Sequence, residues 1–306
     1  SVRAGDAASS SAAVDEAIAC YERALALYDG ATPAQADTLM RLGSALVSTG
    51  RVIEGKEHLH GALRLADQTG DDVVFARAAL GLSASVRYGY SDPDRVAELE
   101  AAIAKLGPTE MVLRPALLAT LRRQLGFVDT PEADRRRTEA AALLSDAVSA
   151  DDVSDELIMS LGALRDSLVV DDPIPLGELA RRIITVSSKR RDLPGLSTGW
   201  YRQAWSAIEL GDAVTLRRAV DEYRRIATQL RRPYELALSS NMIAAVAQIE
   251  GRYDDAEAAG QEALAHAATI EDGNFGWVYF ANSGLRAIDH GLVGPTYELM
   301  QAARAD

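Results

Sequence analysis

The sequence predicts an all-α chain built as an array of about seven antiparallel helix pairs. Three observations carry this. Apolar residues recur at three- and four-residue spacing along most of the chain, turn residues interrupt that pattern at regular intervals, and strand signals are almost absent. No alternating β-branched run occurs, and no Asn-Gly or Asp-Gly hairpin lies between apolar segments.

The clearest unit runs from Ala31 to Gly70. Pro33 opens its first helix, where a missing N–H costs nothing. Leu39, Leu42, Leu46 and Val47 then share one face, and Gly50 ends the helix. Val52 opens the second helix, with Leu59, Leu63 and Leu65 continuing the stripe to Gly70. The same plan recurs with starts near residues 33, 71, 109, 153, 195, 233 and 273, a spacing of about 38 to 44 residues. Glycine marks turns at Gly50, Gly126, Gly211, Gly251 and Gly291. Pro93, Pro108, Pro131, Pro173, Pro194, Pro233 and Pro295 fall near helix starts, and Ser91-Asp92 and Thr130 are placed to cap such starts. A pair of this kind cannot bury its apolar face alone, so neighbours must stack into one core. The chain is therefore expected to be a single array over residues 1–306. The weaker stretch around Val148 to Pro175 leaves open two sub-lobes, 1–150 and 151–306.

Composition narrows the function classes. Apolar content of 48% is ample for a buried interior, and no stretch approaches the roughly 18 unbroken apolar residues of a membrane span. A net charge of −13 opposes nonspecific grip on nucleic acid. The single cysteine, Cys20, excludes a disulfide framework and makes a reducing cytoplasm the expected setting. The opening Ser-Val-Arg-Ala-Gly lacks the apolar core of a secretory leader and reads as a cut inside a longer protein or a tag scar. Arginine heavily outnumbers lysine, which with the abundant alanine hints at a GC-rich bacterial genome.

No catalytic constellation stands out, so the chain is expected not to be an enzyme and to carry no cofactor. Gly50-Arg51-Val52-Ile53-Glu54-Gly55-Lys56 has P-loop spacing, but Glu57 follows where a hydroxyl should hold Mg²⁺, and no strand precedes it. It reads as a helix turn. His58 and His60 lie on different sides of a helix and His266 and His290 are isolated, so no metal site is expected. The paired arginines, and Arg135-Arg136-Arg137, have acidic neighbours and read as helix-surface ion pairs rather than a DNA-binding face.

The order of small and large residues from Leu42-Gly43 through Leu46, Gly50, Gly55, Leu59 and Ala62-Leu63 resembles a tetratricopeptide repeat. So does Ala244 to Leu264, with Gly251, Tyr253, Ala256 and Ala263. Asp15 to Leu25 resembles the second helix of such a unit, its partner lying upstream or missing. The resemblance implies a right-handed superhelix in which the first helix of each pair lines the concave face. A more specific likeness lies in Val2-Arg3-Ala4-Gly5-Asp6-Ala7-Ala8, in Ala19 to Leu27 and in Ala76-Arg77-Ala78-Ala79-Leu80-Gly81-Leu82. Ala207 to Asp212 and Ile249 to Glu257 extend it. These segments look like the C-terminal helical arm of large bacterial signalling ATPases. Such proteins include LuxR-type regulators with an ATPase core, actinobacterial antibiotic-regulatory proteins and related nucleotide cyclases. In them the arm senses an inducer or holds a partner, and a separate module binds DNA.

The resemblance implies where a ligand sits. Counting back from the turn glycines, Tyr201, Arg202, Trp205, Asn241, Gln248 and Asn282 are expected to face the groove, with Arg123, Gln124 and Arg165 further up. Rings, amides and guanidinium groups on one concave surface suit a small-molecule inducer, a peptide or a protein partner. The aromatics of the late repeats (Trp200, Tyr201, Trp205, Phe275, Trp277, Tyr279 and Phe280) equally suit a thicker core or an end cap. DNA is expected only through a module outside the chain, no membrane is expected, and homodimerisation is left open.

Overall fold

The computed structural model describes residues 2–10, 13–83, 91–110, 112–126, 128–149, 154–162 and 173–271, with Gly291 and Gly294. Those residues form fourteen helices and no strand. In chain order these are α1 Val2–Ser10, α2 Val14–Leu25, α3 Pro33–Ser48, α4 Val52–Thr69, α5 Asp72–Leu82, α6 Pro93–Leu106 and α7 Leu113–Leu125. They continue with α8 Pro131–Ser149, α9 Asp155–Gly162, α10 Pro173–Arg190, α11 Leu193–Glu209, α12 Ala213–Leu230, α13 Pro233–Ile249 and α14 Tyr253–Ala267. None of them is long and apolar enough to cross a membrane.

Six of the seven expected starts coincide with α3, α5, α7, α9, α11 and α13 to within a few residues; the start near 273 lies outside the described residues. The offsets have local causes. Helix α7 begins at Leu113 rather than near 109 because the Glu110 carboxylate accepts hydrogen bonds from the N–H groups of Val112, Leu113 and Arg114 (3.1, 2.6 and 2.6 Å). Pro108 therefore lies in the loop before the helix. Helix α11 begins earlier than expected because Asp192 caps it, accepting from Gly195 N at 3.0 Å, with Pro194 in the first turn. Thr32, Asp71, Asp92, Thr130 and Asp212 cap α3, α5, α6, α8 and α12 in the same way. At the far end of α4, Gly70 adopts the left-handed conformation that closes a helix and that a side chain would resist.

Among the described residues, helices that follow one another pack together at every step except from α8 to α9, and α3 touches α5, α5 touches α7, α7 touches α9 and α9 touches α11. Helix α1 is the partner that α2 requires. Tyr21 lies flat against Gly5, where an added Cβ would come within 2.4 Å of the ring, and its hydroxyl donates to Asp6 Oδ1 at 2.9 Å. Arg41 of α3 reaches the same carboxylate at 2.7 Å, tying three helices together.

Helices α3 and α4 cross closely. A Cβ on Gly43 would lie 2.7 Å from the backbone oxygen of Gly55, and one on Gly55 would lie 2.8 Å from that of Gly43. Leu59 buries completely at this contact, while Leu42 and Leu46 bury on the face of α3 toward α2, with Val14, Ile18 and Tyr21. Each such leucine contributes about 1.5–3 kcal/mol relative to exposure. Leu59 then belongs to a cluster running through Phe75, Leu82, Leu99, Leu117 and Leu121, from α3 to α8. A second cluster joins α11 to α14 around Ala204, Leu216, Tyr223, Leu238 and Met242.

Several of the arginines in runs form surface ion pairs, as their acidic neighbours predict, whereas Arg123 donates to a backbone carbonyl and Arg218 lies over Trp200. Arg135 pairs with Glu132, Arg136 with Glu100 and Glu132, Arg137 with Asp134, and Arg225 with Glu222. The segment with P-loop spacing is the turn from α3 into α4.

Candidate functional site

Helix α11 carries the densest group of rings and guanidinium groups among the predicted site residues. Its sequence, Leu-Pro-Gly-Leu-Ser-Thr-Gly-Trp-Tyr-Arg-Gln-Ala-Trp, puts small residues on the face toward α10 and large ones elsewhere. Gly199 abuts Ile184 and the Ala180 carbonyl, and Gly177 of α10 abuts Ser206. That close approach fixes the rotation of α11 and hence the direction of its rings.

Tyr201, Arg202 and Trp205 are brought together. The Tyr201 and Trp205 rings meet edge to face with centroids 6.2 Å apart, and the Arg202 guanidinium lies 5.4 Å from the Tyr201 ring. Tyr223 of α12, fully buried, backs Tyr201 at 6.2 Å. Arg218 of α12 lies over Trp200 at 5.6 Å. Exposure divides the group: Trp205 is 44% exposed, whereas Arg202 is 8% exposed and Tyr201 half-buried. Trp205 is thus the member open to a ligand, and Arg202 braces the ring behind it. Arg218 and Tyr223 were outside the predicted set. The apolar stripe Leu216, Ala219, Val220, Tyr223, Ile226, Ala227 and Leu230 on α12 is the signal that points Tyr223 inward.

Below the rings, the starts of α11 and α13 hold buried charge. Burial pushes the Asp192 carboxyl above its ordinary value, opposed by the Gly195 N–H bond and by Arg232. Arg232 lies 3.9 Å from the buried Glu235.

The remaining predicted residues are placed separately. Asn241 and Gln248 stand two turns apart on α13, half-buried, and each already has interactions with its surroundings. Arg123 and Gln124 lie on α7, away from the α11 rings in the fold order. Arg123 donates to the Ser83 carbonyl at 2.6 Å, closing the end of α5, and Gln124 is 1% exposed, one turn beyond the buried Thr120. Arg165 and Asn282, with Phe275, Trp277, Tyr279 and Phe280, lie outside the described residues.

The arrangement offers an exposed indole beside braced aromatic and guanidinium groups, a surface for stacking and apolar contact. Among the described residues, no group of three His, Cys, Asp or Glu side chains is placed to hold a metal ion. No family model matches the chain, and no curated protein matches it.

Proposed function

We propose that the chain is a ligand-sensing or protein-interaction arm of a bacterial transcriptional regulator, built as a tetratricopeptide-like right-handed superhelix. It performs no catalytic step of its own. The observation that carries the reading is the α11 cluster, in which Trp205 stands open while Tyr201, Arg202 and Tyr223 hold the ground behind it. A rigid ring presented on a preorganised base loses little freedom when it binds, which favours affinity. The paired-helix period and the sequence likeness to the arms of signalling ATPases support the regulatory setting. Occupation of the site would act by favouring one arrangement of the helix pairs over another, since a ligand shifts a conformational equilibrium only through differential affinity.

The test is thermal unfolding of the chain against fractionated bacterial metabolites and peptides, because whatever binds the folded state raises its melting temperature. A shift from a small-molecule fraction, lost in Trp205→Ala, is the expected result. A shift that persists unchanged in Trp205→Ala removes the site from α11.

A second reading, a stand-alone scaffold for a protein partner, is favoured by the apolar groups beside Trp205. Ile208 and Leu210 at the end of α11, Val214 at the start of α12 and Ile249 at the end of α13 are all exposed. Arg217 joins these ends, its Nε 2.7 Å from Glu250. A shift from peptide or protein fractions alone would select this reading.

A further inference from the structure

Helix α4 begins without a cap of its own. Arg51 occupies the capping position and, although its guanidinium pairs with Glu54 in the first turn, its side chain accepts no bond from a helix N–H, unlike Asp212 at the start of α12. The carboxylate that serves instead comes from 218 residues away: Glu271 Oε2 accepts from Ile53 N at 3.1 Å. The backbone repeats the contact in the other direction, with Glu271 N donating to the Gly50 carbonyl at 3.1 Å. Ile270, next in the chain, packs on the cluster that joins α11 to α14. A short strap, Thr269–Glu271, therefore links the late helices to the turn of the α3–α4 pair.

Gly50 is shaped for this contact. A Cβ there would lie 3.1 Å from the Thr269 carbonyl oxygen and 3.5 Å from Ile270 Cα, at a φ of +91°. The other positive-φ glycines that end or join helices, Gly70, Gly211 and Gly251, have open space at that position. Crowding is thus a property of the one turn that the strap touches. The carboxylate also sits where the partial positive charge of the α4 N-terminus favours it.

We propose that the Thr269–Glu271 strap is a releasable clasp, which joins the segment after α14 to the α3–α4 turn by capping α4 and whose opening lets the α3–α4 pair and the late helices separate. Its polar ties are two hydrogen bonds, one of them from a side chain that is exposed at the surface. Ile53 beside it is 64% exposed, so no apolar seal adds to the grip at that point. Such a contact is weak beside the packing within each pair, so it opens without unfolding the helices. The clasp does not depend on what the array binds.

The test uses the whole chain with Cys20→Ala, carrying spin labels at Glu57→Cys on α4 and Ala258→Cys on α14, both exposed positions. The background chain should give one narrow distance distribution. Glu271→Ala should broaden it and move it to longer distances, and Gly50→Val should do so more strongly. Glu271→Gln, which keeps an acceptor but loses the charge, should fall between. In parallel, the Ile53 amide should exchange with solvent about tenfold faster in Glu271→Ala. Helical circular dichroism confirms that each variant is folded, and the exposed Glu271 lies beyond α14, where its loss leaves every helix intact. A broad distribution in the background chain, or an unchanged distribution and unchanged Ile53 exchange in folded Glu271→Ala, would overturn the clasp.

Discussion

Two glycines six residues apart on α4 should respond with opposite signs to the same substitution. Alanine in place of a helix-interior glycine gains about 1 kcal/mol from backbone entropy alone. At Gly61 that gain should be realised, because a Cβ there meets only Leu39 Cδ1 at 3.7 Å, an ordinary contact. At Gly55 the Cβ would lie 2.7 Å from Val47 Cγ2, 2.8 Å from the Gly43 carbonyl oxygen and 2.9 Å from Val47 N. Two of those three are backbone atoms of α3, which yield only if the helices part. Parting them loosens Leu59, which is fully buried beside Gly43 at this crossing. Overpacking of this kind costs about 1–3 kcal/mol. Offset by the helix-forming gain, Gly55→Ala should destabilise by up to about 2 kcal/mol. Gly61→Ala should stabilise by up to about 1 kcal/mol. The assay is urea unfolding followed by circular dichroism, with both variants compared in midpoint and slope. An array of pairs unfolds with limited cooperativity, so the comparison is made on the phase to which α3 and α4 contribute. A stabilised Gly55→Ala would refute the claim that the small residues at this crossing are set by helix approach.

Other perturbations are more local. Burial, then the hydrogen bond and charge of Asp6, push the Tyr21 phenol up to about 12 from 10.0. The folded chain therefore keeps a proton that the unfolded chain has lost. The associated stability is intact below pH 10 and drains away as the pH rises toward about 12. Tyr21→Phe should lose the Asp6 bond at neutral pH yet flatten the alkaline fall, which unfolding midpoints across that range would check. Arg231 ends α12 in the left-handed conformation, with φ 51° and ψ 25°. Arg231→Gly should relieve that strain and stabilise by about 0.5–1 kcal/mol, read as a higher melting temperature. Trp205→Ala should lower stability by about 1–2 kcal/mol, because the indole is partly buried against Tyr201, and Arg202→Ala should also lower stability measurably.

Helix boundaries were legible because their causes are local. Pro33, Pro93, Pro131, Pro173 and Pro233 begin helices as their chemistry requires, and Thr130 and Asp92 cap as their position suggests. The two displaced starts show the limit. Glu110 caps through three consecutive N–H groups, a role outside the usual Ser, Thr, Asp and Asn set, and so α7 begins after Pro108 rather than at it. Site residues were legible only as types. Arg202 and Trp205 are three positions apart, about 60° around the helix, yet one is buried and the other open. That boundary is drawn by how closely α10 approaches through Gly199 and Gly177, which periodicity alone does not report. Gln124 shows the same effect on α7, where a polar side chain one turn from Thr120 is enclosed with it.

The strap is illegible for a different reason. In an array, each pair's sequence specifies its own packing and its fit to the next pair, so any contact across 218 residues depends on every interface between. A few degrees of change at each of those interfaces would accumulate at the ends while leaving each buried cluster nearly unaltered. The distance from Gly50 to Glu271 is consequently a sensitive coordinate, held by hydrogen bonds at Gly50 and Ile53. A perturbation away from the strap, such as occupation of the exposed Trp205 surface, acts on the late helices that anchor Ile270 and should register at that distance. Labels at positions 57 and 258 would therefore report an event at α11 that leaves the helical content unchanged. A ligand that raises the melting temperature without moving that distance would bind the closed and open arrangements equally, and the clasp would then play no part in its effect.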